Sequence, residues 1–282
     1  MRNNVAAIVS KAVPVGKVSR AARSLFSLLM IAVLLAPPMT VTPALAAPPD
    51  DCALRSALVC ADIPVSLPFS LDWNADAGAL PDATGIGTGF TMIDPPSARL
   101  AADGPVFDGD APGYEPSKLA VNTTAGTLTI VSNKGIMFAK PSISTETNSQ
   151  INALGVGVDV GSDALELRAT LFPPAWPSGA NSSQQAGLWF GLNEDNYVKL
   201  AFVNSSPGSG GRTASINLQS EDDPTVAPTT NITSSPFAWT GGTPVQLVLV
   251  LNPTDNTARG TYQVGSGVVQ PIGPLTLPSE FF

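Results

Sequence analysis

Apolar and polar residues alternate with a period of two along much of the chain between residues 65 and 264. The clearest example is the stretch 185–203, in which two alternating arms flank the polar sequence Asn-Glu-Asp-Asn. Successive side chains of a β-strand point to opposite faces of a sheet, so each arm has one apolar face. The stretch therefore predicts a β-hairpin whose turn includes Asn196, a residue that tolerates the left-handed conformation.

The apolar faces of the two arms restrict how this hairpin can pair. Directly opposed residues lie on the same face of a sheet, so we expect Phe190 opposite either Val198 or Leu200. Both registers keep Lys199 off the apolar face, whereas a slip of one residue would move it there.

The same alternation predicts further strands. They cover residues 64–71, 89–93, 127–131, 154–160, 164–171, 213–219, 245–251 and 258–264. The segment 245–251 is apolar on both sides, which indicates a covered central strand. The polar run Glu221-Asp-Asp223 is interpreted as a solvated turn. Turn signals at short intervals, with no helical period after residue 46, predict an all-β sandwich or barrel.

The first 46 residues have a different pattern. Five basic and no acidic residues precede the apolar run 25–36, and Ala44-Leu45-Ala46 follows it. This order is typical of a secretory signal peptide, here residues 1–46, that is cleaved on export. An uncleaved membrane anchor is the alternative, but an apolar run of about twelve residues rises only ~18 Å as a helix, against ~30 Å of hydrocarbon. The sequence therefore predicts a secreted, extracellular protein with no membrane span after cleavage.

Charge and composition exclude several classes of function. All 22 acidic residues but only nine of the 14 basic ones follow Ala46, so the mature chain has a formal charge of −13. This charge opposes binding to nucleic acid or to an anionic membrane surface. The chain has no His, which excludes Ser-His-Asp and Cys-His catalysis and the usual zinc sites of hydrolases.

Both cysteines lie in a short lead, residues 47–63, at Cys52 and Cys60. In an exported protein the expected state of such a pair is a disulfide that closes a short loop. A two-cysteine metal site is disfavoured because no His is present to complete it.

The hairpin sequence resembles a known family. Ala186-Gly-Leu-Trp-Phe-Gly and Asp195-Asn-Tyr-Val-Lys-Leu, together with Gly87-Thr-Gly-Phe-Thr91, are similar to the concanavalin A-like lectin/glucanase jelly rolls, especially the non-catalytic bacterial extracellular ones. The resemblance covers about residues 64 to 270. It implies an all-β domain, 64–282, of two packed antiparallel sheets with a concave face that can take glycan. The Glu-x-Asp-x-x-Glu strand of the family's glucanases is absent, so catalysis is not implied.

The outward face of the central strands is the candidate ligand site. Trp189 beside Tyr197 and Lys199 offers an aromatic platform with a hydrogen-bond donor, as sugar recognition requires. The residues that we expect to share this face are Arg168, Asn217 and Gln219. The alternative is that Trp189 packs under a loop or a second layer.

Trp176 lies in a Pro-stiffened loop, Pro173-Pro-Ala-Trp-Pro-Ser-Gly179, outside the predicted strands. It is a further candidate for ligand binding, as an exposed aromatic anchor. The alternative is a plug at the edge of the sandwich.

One stretch has the composition of a calcium site. Asp72, Asn74 and Asp76 place oxygen ligands at alternate positions, and Asp82 could contribute from farther along. Hard cations prefer such carboxylate and amide oxygens, which makes Ca²⁺ the only cofactor with a candidate site. The alternative is an ordinary turn rich in Asx residues, because the glycine comes one position late for an EF-hand loop.

Three hypotheses about function remain open. The first is a secreted, non-catalytic lectin-like module that binds glycan or cell-surface polysaccharide, or mediates adhesion. The second is a purely structural N-terminal module of a longer extracellular protein; the final segment 271–282 ends on two aromatics, either as a last strand or as a truncation point. The third is a glycoside hydrolase built on Glu166, the one acid inside a predicted strand of the outward face.

Overall fold

A computed structural model of the chain describes residues 64–93, 114–132, 152–175, 184–193, 196–205, 213–221 and 230–282, and the backbone alone of 3–6 and 11–12. The strands are β1 (Asn3–Ala6), β2 (Lys11–Ala12), β3 (Phe69–Ser70), β4 (Met92–Ile93), β5 (Leu119–Asn122), β6 (Thr127–Ser132), β7 (Leu154–Gly155), β8 (Leu165–Leu171), β9 (Gln185–Asn193), β10 (Asn196–Asn204), β11 (Thr213–Glu221), β12 (Thr230–Thr233), β13 (Phe237–Ala238), β14 (Val245–Asn252), β15 (Thr257–Val264) and β16 (Gln270–Thr276).

The described fold is all-β, as predicted. The pairs formed by these strands are antiparallel, and one isolated bridge, between Pro64 and Gly157, is parallel. Helix is limited there to two short 3-10 turns, Pro116–Lys118 and Ser279–Phe281. No helix among the described residues is long and apolar enough to cross a membrane.

The hairpin formed by β9 and β10 has one of the two predicted registers. Phe190 lies opposite Val198, and Leu188 lies opposite Leu200. The turn differs from expectation, because Asn196 is the first residue of β10 and is not among the residues with positive φ. A β-bulge between Asn196 and Tyr197 shifts the pairing register of β9 and β10 next to the turn.

Two larger sheets make up most of the molecule. The hairpin sheet has the order β12-β11-β10-β9, with β13 also paired to β11. The C-terminal sheet has the order β16-β15-β14-β8. The prediction that 245–251 is a central strand is confirmed, since β14 is flanked by β15 and β8. It was also expected to be covered on both sides, but on its outward side Gln246 is exposed and Val248 and Val250 are only half-buried.

The apolar faces of these two sheets share one core. The fully buried side chains of the hairpin sheet include Val198, Leu200, Ile216 and Leu218, and those of β14 are Val245, Leu247, Leu249 and Leu251. Phe202 packs edge-on against Trp239, with ring centroids 4.7 Å apart. The period-two pattern is thus satisfied by burial of one face of each strand against the opposite sheet.

A second, smaller core lies among the short strands. It contains eight buried residues: Leu71, Trp73, Phe90, Ile93, Leu119, Leu128, Ile130 and Leu154. Trp73 has φ of 50°, an uncommon conformation for an aromatic residue, and its indole N–H donates to the Thr88 carbonyl at 2.8 Å. The chain joins the two cores, because Leu154 belongs to the smaller one whereas Val158 and Val160 pack against the larger.

Several predicted boundaries are corrected. Of the predicted strand 64–71 only β3 is formed, and of 154–160 only β7. Three strands, β5, β12 and β13, were not expected because each is short and weakly patterned. The segment 271–282, for which a last strand and a truncation were both open, contains β16 and buries Phe281 in the larger core.

The lead 47–63 with Cys52 and Cys60, and the loop with Trp176, lie outside the described residues. Of the predicted signal peptide, 1–46, only the backbone of β1 and β2 is described. β1 pairs with β6, and β2 pairs with β3.

Candidate binding face

The pairing of β9, β10 and β11 brings five of the predicted ligand-binding residues onto one face. Lys199 of β10 lies between Trp189 of β9 and Gln219 of β11. Tyr197 is two positions before Lys199 on the same strand, and Asn217 is two positions before Gln219. We call this face the outer polar face; it consists of Trp189, Tyr197, Lys199, Asn217, Gln219 and Glu221.

The outer polar face is not open to solvent. Tyr197 is fully buried, and only 3% of Lys199, 3% of Gln219 and 8% of Asn217 is exposed. The register keeps Lys199 off the apolar face, as predicted, yet the side chain is buried on the other side of the sheet. Both faces of β10 and β11 are therefore covered, which alternation alone does not reveal.

The outer polar face contains two charged residues, Lys199 and Glu221, and both lie close to Tyr197. The Tyr197 hydroxyl donates to Glu221 Oε2 at 2.8 Å, and Lys199 Nζ lies 5.6 Å from the centroid of the Tyr197 ring. Burial lowers the pKa of Lys199 to about 7, although the charge of Glu221 opposes this shift.

Glu221 is a residue that the sequence interpretation missed. It was expected in a solvated turn, but it is the last residue of β11 and only 1% exposed. A signal was present in the sequence, because Glu221 continues the period-two series of Asn217 and Gln219.

Two amide groups in the middle of the face are incompletely hydrogen-bonded. Asn217 Nδ2 donates to Asn231 Oδ1 and to Thr233 Oγ1, both on β12. Asn217 Oδ1 and Gln219 Nε2 are buried and have no hydrogen-bond partner in the described structure. One hydrogen-bond acceptor and one donor on the same face of β11 are thus without a partner.

Trp189 is at the margin of the face and contacts another strand. Its indole N–H donates to the Leu154 carbonyl of β7 at 3.3 Å. A Cβ atom on Gly155 would lie 3.0 Å from Trp189 Cζ2, so the indole packs closely on β7. The alternative interpretation of Trp189, packing under a second layer, therefore describes at least part of its surroundings.

Arg168 does not share the outer polar face, contrary to expectation. It lies on β8 of the C-terminal sheet, opposite Val248 of β14. Its side chain is 54% exposed and forms an ion pair with Glu166, with Nε 2.5 Å from Oε1. The pairing of β8 with β14 is between distant segments, which alternation within β8 does not predict.

Two of the candidate calcium ligands, Asp72 and Asp76, accept hydrogen bonds from backbone N–H groups. Asp72 Oδ1 accepts from the Asn74 N–H, and Asp76 Oδ1 accepts from the N–H groups of Gly78 and Gly87. This matches the alternative of an Asx-rich turn. No group of three or more His, Cys, Asp or Glu that could hold a metal ion occurs within the described ranges.

Asp82, the fourth candidate, connects two segments of the smaller core. Its Oδ1 accepts from the Thr84 N–H and hydroxyl and from the Ile86 N–H, and its Oδ2 accepts from the Val121 N–H. Burial raises the pKa of this carboxyl, but the hydrogen bonds outweigh burial and hold the pKa below its usual value. Both carboxylate oxygens are thus already occupied by protein donors.

Comparison with protein-family models, with curated proteins and with solved structures finds no match to this chain.

Proposed function

We propose that this chain is a secreted, non-catalytic lectin-like module that binds carbohydrate weakly through its outer polar face. In this proposal the two sheets with a shared core form a sandwich of the concanavalin A-like jelly-roll type. The observation that carries the proposal is the pair of buried, unpartnered amide atoms, Asn217 Oδ1 and Gln219 Nε2.

Unpartnered polar atoms of this kind need a physical reason. Each buried donor or acceptor without a partner costs about 1–3 kcal/mol, and most such atoms in folded proteins are hydrogen-bonded. A sugar provides hydroxyl groups that satisfy both atoms, and the half-buried ring of Trp189 lies on the same face for contact with its C–H groups.

The burial of the face favours weak binding. Because Gln219 and Asn217 are almost completely covered, a ligand reaches them only from a state in which the cover has opened. The apparent affinity is then reduced by the fraction of molecules in that state. Low affinity suits adhesion through many copies of a surface polysaccharide, where several weak contacts act together.

A glycan array with the mature protein tests the proposal. Binding to at least one glycan is expected, and it should be lost when Asn217→Leu and Gln219→Met are combined. Gln246→Met is the matched control, since Gln246 is an exposed amide on the outward side of β14. If no glycan on the array binds, or if binding persists in the double variant, the proposal that the outer polar face binds carbohydrate is contradicted.

A second candidate function is a purely structural module of a longer extracellular protein. It is favoured by the hydrogen bond from Trp189 to the Leu154 carbonyl and by the burial of the other five residues of the face. On this hypothesis Trp189→Phe lowers stability by about 1 kcal/mol, while no glycan binds to either form.

The glycoside hydrolase hypothesis rests on Glu166 alone. Its carboxylate is held by Arg168, and glycosidases use a pair of carboxylates, one of them as acid. Hydrolysis of a polysaccharide that disappears in Glu166→Gln would revive this alternative.

A further inference from the structure

We propose that the outer polar face takes a neutral, hydroxyl-bearing sugar unit and selects against anionic sugars such as uronates. The inference rests on the proposed function and specifies the ligand class of that same face.

The first step is the hydrogen-bonding character of the unpartnered atoms. Asn217 Oδ1 can only accept a hydrogen bond, and Gln219 Nε2 can only donate one. The orientation of the Asn217 amide follows from its Nδ2 donating to Asn231 Oδ1 and Thr233 Oγ1. With the two amides in the orientations that the structure gives them, a ligand for this pair must offer both a donor and an acceptor.

Hydroxyl groups meet this requirement, whereas a carboxylate or sulfate group by itself does not; the rejection of uronates, whose rings also carry hydroxyls, therefore depends on charge. A hydroxyl donates one hydrogen bond and accepts others, so neighbouring hydroxyls of a sugar ring satisfy both amide atoms. A carboxylate or sulfate has acceptors only; it would bind Gln219 Nε2 but face Asn217 Oδ1 with its own lone pairs. The two residues are about 7 Å apart along β11, a span comparable with one sugar ring and its substituents.

The charges around the amide pair also argue against an anion. Lys199 is the one cation of the outer polar face, and it lies next to Glu221 and over the Tyr197 ring. Burial makes the charged form of Lys199 unfavourable, so this side chain offers little attraction to an incoming carboxylate. The strong negative charge of the mature chain adds a general repulsion of polyanions.

Affinity electrophoresis in native gels distinguishes the two ligand classes. The mature protein is run through gels that contain a neutral polymer, such as galactomannan, xyloglucan or mixed-linkage glucan, or an anionic one, polygalacturonate or alginate. We expect retardation by at least one neutral polymer and by neither anionic polymer. Single substitutions Asn217→Leu and Gln219→Met should each weaken the interaction about tenfold or more, and Gln246→Met should not change it.

Thermal unfolding of the same variants separates binding from folding. Gln219→Met removes a buried donor that has no partner, so its midpoint should equal or exceed that of the wild type. A clear fall in the midpoint would mean that Gln219 Nε2 has a structural partner, and it would overturn the inference.

The remaining outcomes identify which proposal fails. Retardation by an anionic polymer that depends on Asn217 and Gln219 overturns the neutral class while keeping the face as a binding site. Retardation by a neutral polymer that neither substitution changes assigns binding elsewhere and overturns the inference. No retardation by any polymer, together with a silent glycan array, overturns the proposed function itself.

Discussion

Lys199 is buried, although its position in the sequence is equally consistent with an exposed side chain. Its strand is amphipathic in sequence, yet the ammonium is buried beside Glu221 and the Tyr197 ring. A buried ammonium is costly unless it is compensated, and its charged form is disfavoured relative to the unfolded chain. The consequence is a dependence of stability on pH above neutrality.

We expect the free energy of unfolding to rise between pH 7 and pH 9. The pKa of Lys199 is about 7 in the folded protein and 10.5 when unperturbed, so in this range the unfolded chain binds more protons. Stability attributable to Lys199 then increases with pH, by about 2 kcal/mol over this interval. Urea unfolding at several pH values measures it.

Lys199→Met is the matched variant for this prediction, because it keeps the length of the side chain without the charge. The variant should lack most of the rise, with Glu221 and Tyr197 unchanged. An equal rise in both proteins would mean that other groups cause it.

Asp82, in contrast to Lys199, is a buried charged residue whose carboxylate accepts hydrogen bonds at both oxygens. Four donors on three residues, Thr84, Ile86 and Val121, hold its carboxylate. We expect Asp82→Asn to lower the free energy of unfolding by about 1–3 kcal/mol near neutral pH, since the new amide cannot accept at both positions. Denaturant unfolding at pH 6 measures the change. Asp159→Asn is the control, because Asp159 is exposed.

The acid dependence of the Asp82 contribution has a defined sign. Because the pKa of the folded carboxyl is lowered, the stabilisation is complete above the unperturbed value of 3.8 and is lost as the pH falls through the folded pKa. The difference between wild type and Asp82→Asn should therefore shrink in acid. A difference that stays constant to low pH would contradict the ionised hydrogen-bonded carboxylate.

At the scale of elements, the hairpin of β9 and β10 depends on close backbone approach as well as on apolar pairing. A Cβ on Gly187 would lie 2.1 Å from the Leu200 carbonyl oxygen, and one on Gly191 would lie 2.2 Å from that of Asn196. Neither distance is tolerable without a shift of the backbone. The two glycines thus have a steric role that the hydrophobic pattern does not report.

We expect Gly187→Ala to destabilise the protein by about 1–3 kcal/mol, the usual range for overpacking. Gly161→Ala is the matched control, since a Cβ there meets no atom within 4 Å. Thermal unfolding followed by circular dichroism compares the two. Equal midpoints for both variants would show that β9 adjusts without cost.

At the scale of the whole molecule, stability is divided between two apolar cores. The larger core joins the hairpin sheet to the C-terminal sheet, and the smaller core joins the short strands around Trp73 and Leu128. Among the residues whose burial the structure describes, the first buried member of either core is Leu71.

We therefore expect the chain from residue 47 onward to fold without residues 1–46. Its far-ultraviolet circular dichroism should be that of a β protein, and its unfolding should be cooperative, because every buried core residue that the structure describes is retained. The loss should be limited to the pairing of β1 with β6 and of β2 with β3. A truncated chain that is unfolded would contradict the prediction of a cleaved signal peptide, which N-terminal sequencing of exported protein tests directly.

Local pattern was enough to predict the all-β class, the hairpin and the two registers between which the structure chose, and the central position of β14. Alternation defines which residues share a face of one strand, and opposed apolar faces restrict pairing between sequence neighbours. The same rule correctly grouped Trp189, Tyr197 and Lys199. It also grouped Asn217 with Gln219 on the neighbouring strand.

Features that depend on contacts between distant segments could not be predicted from the local pattern and became visible only in the tertiary structure. In that structure Arg168 lies on the other sheet, and Lys199 and Glu221 are buried. Asn217 Oδ1 and Gln219 Nε2 are also buried and have no hydrogen-bond partner. The physical reason is that side-chain alternation within a strand is a local property of the backbone, whereas the layer that covers a face depends on packing between segments far apart in the chain.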